Sequence, residues 1–130
     1  MWDRLLLIED HDDFRESVRE HLEKQGLGFR IIEADSGEVG VAMALRERPH
    51  IVLMDIRLPG MDGMEAARRI KAQLPETVII VLTMFETDAF KRLFDSDDVS
   101  AYIGKSELYN KLVPTIKSLS GESKSKTSSR

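Results

Sequence analysis

The feature that most constrains this chain is a continuous apolar run with no polar alternation, Ile51-Val52-Leu53-Met54, which ends directly in Asp55 and turns at once through Leu58-Pro59-Gly60. Such a run reads as a strand buried on both faces, the pattern of a parallel sheet. A carboxylate at the carboxyl end of such a strand stands where open α/β sheets place their ligands. On position alone Asp55 has a second reading, as the start of a turn or a helix cap.

The run is not isolated. Leu5-Leu6-Leu7-Ile8 ends in Glu9-Asp10, Phe29 to Glu33 is a further strand candidate, Thr77 to Leu82 leads into Thr83, and the short "SAYIGK" stretch ends in Lys105. Helical periodicity fills the gaps. Phe14, Val18 and Leu22 follow a capping-box spacing at Asp13 and Glu16, with Gly26 and Gly28 as stops. Ser36 caps a helix through Val41, Ala42 and Leu45 that Pro49 closes, and Met64, Ala67, Ile70 and Leu74 mark another. Ala89, Phe90, Leu93 and Phe94 give a fourth helix its apolar face, and Leu108, Leu112, Ile116 and Leu119 a last one. Pro114 sits in the first turn of that helix if it begins near Asn110, and kinks it if it begins near Ser106. Strands alternating with helices in this way predict an α/β fold: a doubly wound five-stranded parallel sheet, (βα)5, in three αβα layers. The domain is expected over residues 1–120. Residues 121–130, Ser- and Lys-rich, are expected to form a flexible tail or a truncated linker.

In a parallel sheet all carboxyl ends share one edge, so Glu9, Asp10, Asp55, Thr83 and Lys105 should line one crevice. Crowded carboxylates repel unless a cation joins them. Oxygen donors without a shared histidine pattern favour Mg²⁺, because His11, His21 and His50 have no common ligand spacing, and the chain has no cysteine. Asp55, flanked by a metal, a hydroxyl and an ammonium, is the carboxylate best placed to attack a phosphoryl group.

Together these marks resemble the receiver domain of bacterial response regulators, from about Leu5 to Leu119. The carriers are the Glu9-Asp10 pair, the segment from Asp55 through Leu58-Pro59-Gly60 to Gly63, Thr83, and Tyr102 three residues before Lys105. The resemblance implies a flavodoxin-like fold and phosphorylation of Asp55 by a sensor histidine kinase or phosphotransfer protein. It implies Mg²⁺ held by Asp10, Asp55 and the backbone carbonyl of Arg57, with Glu9 acting through water. It gives Thr83 and Lys105 the phosphoryl oxygens and makes Tyr102 the aromatic that turns inward as Thr83 moves. Such a domain is a switch with self-catalysed phosphotransfer and dephosphorylation, not an enzyme with its own substrate.

Several positions depart from the common pattern. Met84 stands where a small residue is frequent and, with Arg57 and Phe85, is expected to restrict access to Asp55. Asp98 replaces a usual glycine, and a loop there can survive because Asp tolerates the left-handed conformation better than most residues, while Ser106 replaces a frequent proline. The latter feature and "EDHDDFRESV" are similar to regulators with LuxR-type output domains. A haloacid dehalogenase-type hydrolase would need an acid at Arg57, and a nucleotide- or flavin-binding domain a phosphate loop where "IEDHDDF" is acidic. The remaining alternative is a phosphorylation-independent interaction module with receiver architecture.

The formal charge of −4 with both signs interspersed predicts no nucleic-acid binding by this domain. No apolar run reaches membrane-spanning length, and a cytoplasmic location is the expectation. A homodimer is compatible with the resemblance, formed through the last two helices and the strand between them or through the first and last helices. So is an output domain C-terminal to Arg130.

Overall fold

The computed structural model describes residues 2–84 and 96–122 of the 130-residue chain. The strands are β1 (Arg4–Ile8), β2 (Arg30–Ala34), β3 (Ile51–Asp55), β4 (Val78–Thr83) and β5 (Ala101–Gly104). Every pairing is parallel and the spatial order is β2-β1-β3-β4-β5, the order of a flavodoxin-like α/β fold. The helices are α1 (Asp12–Lys24), α2 (Gly37–Glu47), α3 (Gly63–Gln73) and the last helix, α4 (Leu108–Lys117). The expected helix around Ala89, Phe90, Leu93 and Phe94 lies outside the described residues.

The uninterrupted apolar runs have a simple cause. Leu6, Ile8, Val52, Met54, Ile79 and Val81 pack on one face with Ala44, Ala66, Ala67 and Ile70 of α2 and α3. The alternate residues Leu5, Leu7, Ile51, Leu53, Ile80 and Leu82 pack on the other with Val18, Leu22, Leu112 and Ile116 of α1 and α4. Neither face meets water, so neither position of the two-residue strand period is polar. Each fully buried side chain of this kind contributes about 1.5–3 kcal/mol.

Local signals were mostly honoured, with instructive exceptions. Ser36 caps α2 by accepting from the Val39 N–H, as expected, and Asp62 caps α3 in the same way through the Glu65 N–H. The expected Asp13–Glu16 box does not form. His11 is the N-cap of α1, and Asp12 and Asp13 lie in its first turn, where carboxylates are favoured by the positive end of the helix dipole. β2 is displaced by one residue toward Ala34, since it pairs as an edge strand from Arg30 opposite Arg4. α4 adopts neither expected start: a 3₁₀ turn over Lys105–Glu107 precedes it, and Pro114 lies inside the helix, leaving the Asn110 carbonyl without its usual donor. A π-helical turn, Ser118–Glu122, carries regular structure into the segment read as tail.

Candidate functional site

Strand register assembles the site. Ile8 pairs with Met54, Asp55 with Leu82, and Thr83 with Gly104, so the chain leaves four adjacent strands at one edge. Glu9 is 0% exposed and Asp55 3% exposed, and Thr83 is buried beside them. Lys105 reaches across the edge. Its Nζ donates to Glu9 Oε1 at 3.2 Å and to Asp55 Oδ2 at 3.1 Å, and stands 4.5 Å over the ring of Phe14. The aromatic face adds attraction for the cation and a wall that limits where it can move.

Main-chain contacts fix the acids. The Arg57 N–H donates to Asp55 Oδ1 at 3.2 Å. The Ile56 N–H donates to the Leu82 carbonyl, tying the residue after Asp55 to β4. Gly63 donates its N–H to the Ile56 carbonyl at 2.8 Å, and a Cβ there would lie 2.6 Å from the Asp55 carbonyl oxygen. Only glycine lets the start of α3 approach the backbone that bears Asp55 this closely. On β1's side, Arg15 donates to the Glu9 carbonyl at 2.7 Å and also pairs with Asp12 and Glu33. Its guanidinium thus holds the acidic turn from behind. Burial alone would lower the Arg15 pKa, but the hydrogen bonds of Glu33 and Asp12 raise it.

Glu9, Asp10 and Asp55 set three negative charges against the single positive charge of Lys105. Burial is the largest influence on Glu9 and pushes its pKa up, and the Asp55 charge adds to this, while the His11 N–H and Lys105 oppose it. His11, by contrast, is a poor match for a spectator: Nδ1 lies 3.1 Å from Glu9 Oε2 and 3.5 Å from Asp10 Oδ1. Hydrogen bonding to Glu9, with the charge of Asp10, raises its pKa. Ligand atoms of Glu9, Asp10, His11 and Asp55 all lie within 4.8 Å of one another. Asp10 Oδ1 is buried and makes no hydrogen bond. A buried carboxylate oxygen with no hydrogen bond, beside two further carboxylates, fits a divalent cation, which would balance the charge and occupy that oxygen.

The other expected residues fall around this centre. Arg57 and Met84 line a cleft of about 490 Å³ with His11, Asp55, Ile56 and Lys105, and Met84 is 80% exposed at its mouth. Phe85 lies outside the described residues. Tyr102 is half-buried on β5, opposite Val81, and packs on the α2 and α3 side of the sheet. The loop at Asp98 does not use the left-handed conformation that Asp tolerates. Among the described residues Arg48 alone does so without being glycine, and Asp98 is held instead by its N–H to Ser96 Oγ. His50 and His21 are remote from the cluster. The Nδ1 of His50 accepts from the Asp3 and Arg4 N–H groups, and the His21 ring stands edge-on to Tyr109.

A sequence model of the family described as response regulator receiver domain matches residues 5–117. The chain belongs to that family. The receiver domain is 30% identical over 115 residues to the response regulator GacA of Pseudomonas protegens, covering 88% of this chain and 54% of that protein. It is 42% identical over 85 residues to the transcriptional regulatory protein LiaR of Bacillus subtilis, covering 65% of this chain and 40% of that protein. The chain therefore spans about half the length of these curated relatives. Among solved structures, a LuxR-family two-component response regulator from Aurantimonas sp. SI85-9A1 superposes with a TM-score of 0.78 at 29% identity, over 92% of this chain and 85% of that one. The signal receiver domain of the NarL response regulator from Mycobacterium tuberculosis shares the fold, with a TM-score of 0.78 at 24% identity over 93% and 98% of the two chains. Receiver domains are signalling switches of two-component systems, and the acidic cluster is consistent with a phosphorylation site of that kind. No helix among the described residues is long and apolar enough to cross a membrane.

Proposed function

We propose that this receiver domain accepts a phosphoryl group on Asp55 from the phosphohistidine of a sensor histidine kinase or phosphotransfer protein, and that the modified domain signals through an altered surface. The observation that carries this reading is the Lys105 ammonium held between Asp55 and Glu9 on the floor of an open cleft. A carboxylate oxygen of Asp55 attacks phosphorus, the phosphorus–nitrogen bond breaks, and its electron pair returns to the donor imidazole. Lys105, already within reach, neutralises charge on the phosphoryl oxygens, and the Thr83 hydroxyl supplies a further donor. The Arg57 N–H keeps Asp55 oriented during the attack. Asp10, Asp55 and the Arg57 carbonyl would hold Mg²⁺ directly and Glu9 through water. When bound, the ion supplies Lewis-acid neutralisation of the same oxygens.

Movement of Thr83 toward the new phosphate vacates space that Tyr102 fills, and the surface around β5 changes with it. Arg57 and Met84, which line the cleft, restrict access of both the donor and hydrolytic water to Asp55. Partners are the kinase and either a second copy of the domain or an output domain beyond Arg130, and a transcriptional output accords with what the relatives are called. The domain acts in the cytoplasm and does not itself bind nucleic acid. The exposure of Met84 over the cleft favours one competitor, an interaction module whose output ignores phosphate.

Intact mass after incubation with Mg²⁺ and acetyl phosphate tests the proposal. A phosphate-sized gain is expected in the wild type, absent in Asp55→Asn and with EDTA, and removed by hydroxylamine. Should neither acetyl phosphate nor beryllofluoride engage the wild type, the phosphoryl-acceptor reading fails and the interaction module replaces it.

A further inference from the structure

We infer that His11 makes the cation site of this domain a mixed nitrogen–oxygen site, one that takes borderline transition-metal ions such as Ni²⁺ and Cu²⁺ in strong preference to Mg²⁺. The inference rests on the acidic cluster being the cation site and concerns which ion it selects. Donors about 2.1 Å from a six-coordinate ion lie about 3.0 Å from their neighbours around it. His11 Nδ1, hydrogen-bonded to Glu9 Oε2 at 3.1 Å, stands 3.5 Å from Asp10 Oδ1, a separation that brings the two near adjacent corners of one coordination shell. The oxygen that Nδ1 faces on Asp10 is the buried one with no hydrogen bond.

The placement of the imidazole is local in origin. His11 is the N-cap of α1, and its own N–H donates to Glu9 Oε2, so the turn that directs Glu9 inward also folds the ring back over the carboxylates. The side chain is 72% exposed, so it can adjust by the fraction of an ångström that ligation requires without disturbing the core. Imidazole adds little for Mg²⁺, a hard ion that keeps water in its shell. For the first-row divalent ions it is a strong ligand, and affinity rises along the series to copper. The chain's other two histidines offer nothing at this place, since His50 and His21 are engaged elsewhere.

The test uses the untagged full chain in four forms: wild type, His11→Gln, His50→Gln and Asp10→Asn. Calorimetric titration with NiCl₂ and MgCl₂ is expected to show Ni²⁺ affinity falling about ten-fold or more in His11→Gln, with Mg²⁺ affinity unchanged within about two-fold. Pulsed electron paramagnetic resonance of the protein with less than one equivalent of Cu²⁺ should carry the remote-nitrogen signature of a bound imidazole. That signature should vanish in His11→Gln and persist in His50→Gln. If His11→Gln leaves Ni²⁺ affinity and the nitrogen signature intact while Asp10→Asn weakens both metals, the role of His11 is overturned and the cation site stands. If Asp10→Asn alters neither metal, the cation site itself is misassigned and the inference falls with it.

Discussion

The two edges of the same sheet treat polar groups in opposite ways. At the amino edge, where the strands begin, polar side chains pair with the protein's own backbone. Thr77 donates its hydroxyl to the Pro49 carbonyl, and Arg4 donates to the carbonyls of Glu47 and Arg48. His50 accepts two N–H groups there. A cleft of about 350 Å³ exists there too, lined by Trp2, Arg48, His50, Leu74 and Thr77, but it holds no cluster of like charge. At the carboxyl edge three carboxylates crowd together, the two that share the Lys105 ammonium are almost without exposure, and one buried oxygen of the third has no hydrogen bond. Volume is similar at the two ends. What separates a structural joint from a site is whether its polar groups are already satisfied.

Substitutions should therefore act with opposite sign at the two edges. Thr77→Val removes a buried donor and leaves the Pro49 carbonyl unpartnered, so it is expected to destabilise the fold by about 1–3 kcal/mol in urea unfolding. It should leave acetyl phosphate labelling of Asp55 unchanged. Asp10→Asn relieves repulsion at the other edge and should stabilise the metal-free protein by up to about 1 kcal/mol, the scale of one solvent-exposed charge pair. The gain should shrink when Mg²⁺ is added, because the variant gives up a ligand. Equal destabilisation by both would erase the distinction.

The smallest effect lies in proton titration. Glu65, on the outer face of α3, pairs with Arg68 and Arg69, and hydrogen bonds from the two guanidinium groups lower its pKa from 4.5 to about 2. Its slight contribution to stability is present above the ordinary carboxylate value and disappears as pH falls toward 2. Glu9 goes the other way. Its folded pKa is raised, chiefly by burial, so its ionisation works against stability as pH rises through that value. Carboxyl-carbon nuclear magnetic resonance should place the two glutamates on opposite sides of 4.5, and Arg68→Gln with Arg69→Gln should return Glu65 toward it.

Strand residues carried most of the legible information. The runs at Leu5, Ile51 and Thr77 announce burial on both faces, and parallel topology then brings Glu9, Asp55, Thr83 and Lys105 to one edge without any knowledge of their contacts. Periodicity also located α1 and α3 through residues such as Val18 and Ile70, whereas on α2 it named Val41, Ala42 and Leu45 while the structure buries Ala44 and leaves Leu45 exposed. What escaped was conformation within turns. His11 reads as an isolated histidine because its partnership with Glu9 and Asp10 depends on a single turn folding back, and no spacing rule covers neighbours so near in sequence. Gly63 reads as one more loop glycine, although its lack of a Cβ sets how close α3 comes to Asp55. The Asp98 turn was settled by Ser96, a side chain two residues away, rather than by backbone tolerance of left-handed geometry. Phe14 was visible as a core position on α1, but its use as a platform for Lys105 depends on that side chain reaching from the end of β5 back to α1.

The position of Trp2 has a practical meaning. It is the chain's single tryptophan, and it packs at the amino edge beside the start of β1, with the whole length of a strand, roughly 15 Å, between it and the carboxylates. Its emission will therefore follow global unfolding with little contribution from the site, which makes it a clean optical gauge of stability. The same separation leaves it nearly blind to cation or phosphoryl occupancy, so a fluorescence reporter of signalling must be installed at the opposite end, for instance as Met84→Trp at the mouth of the cleft.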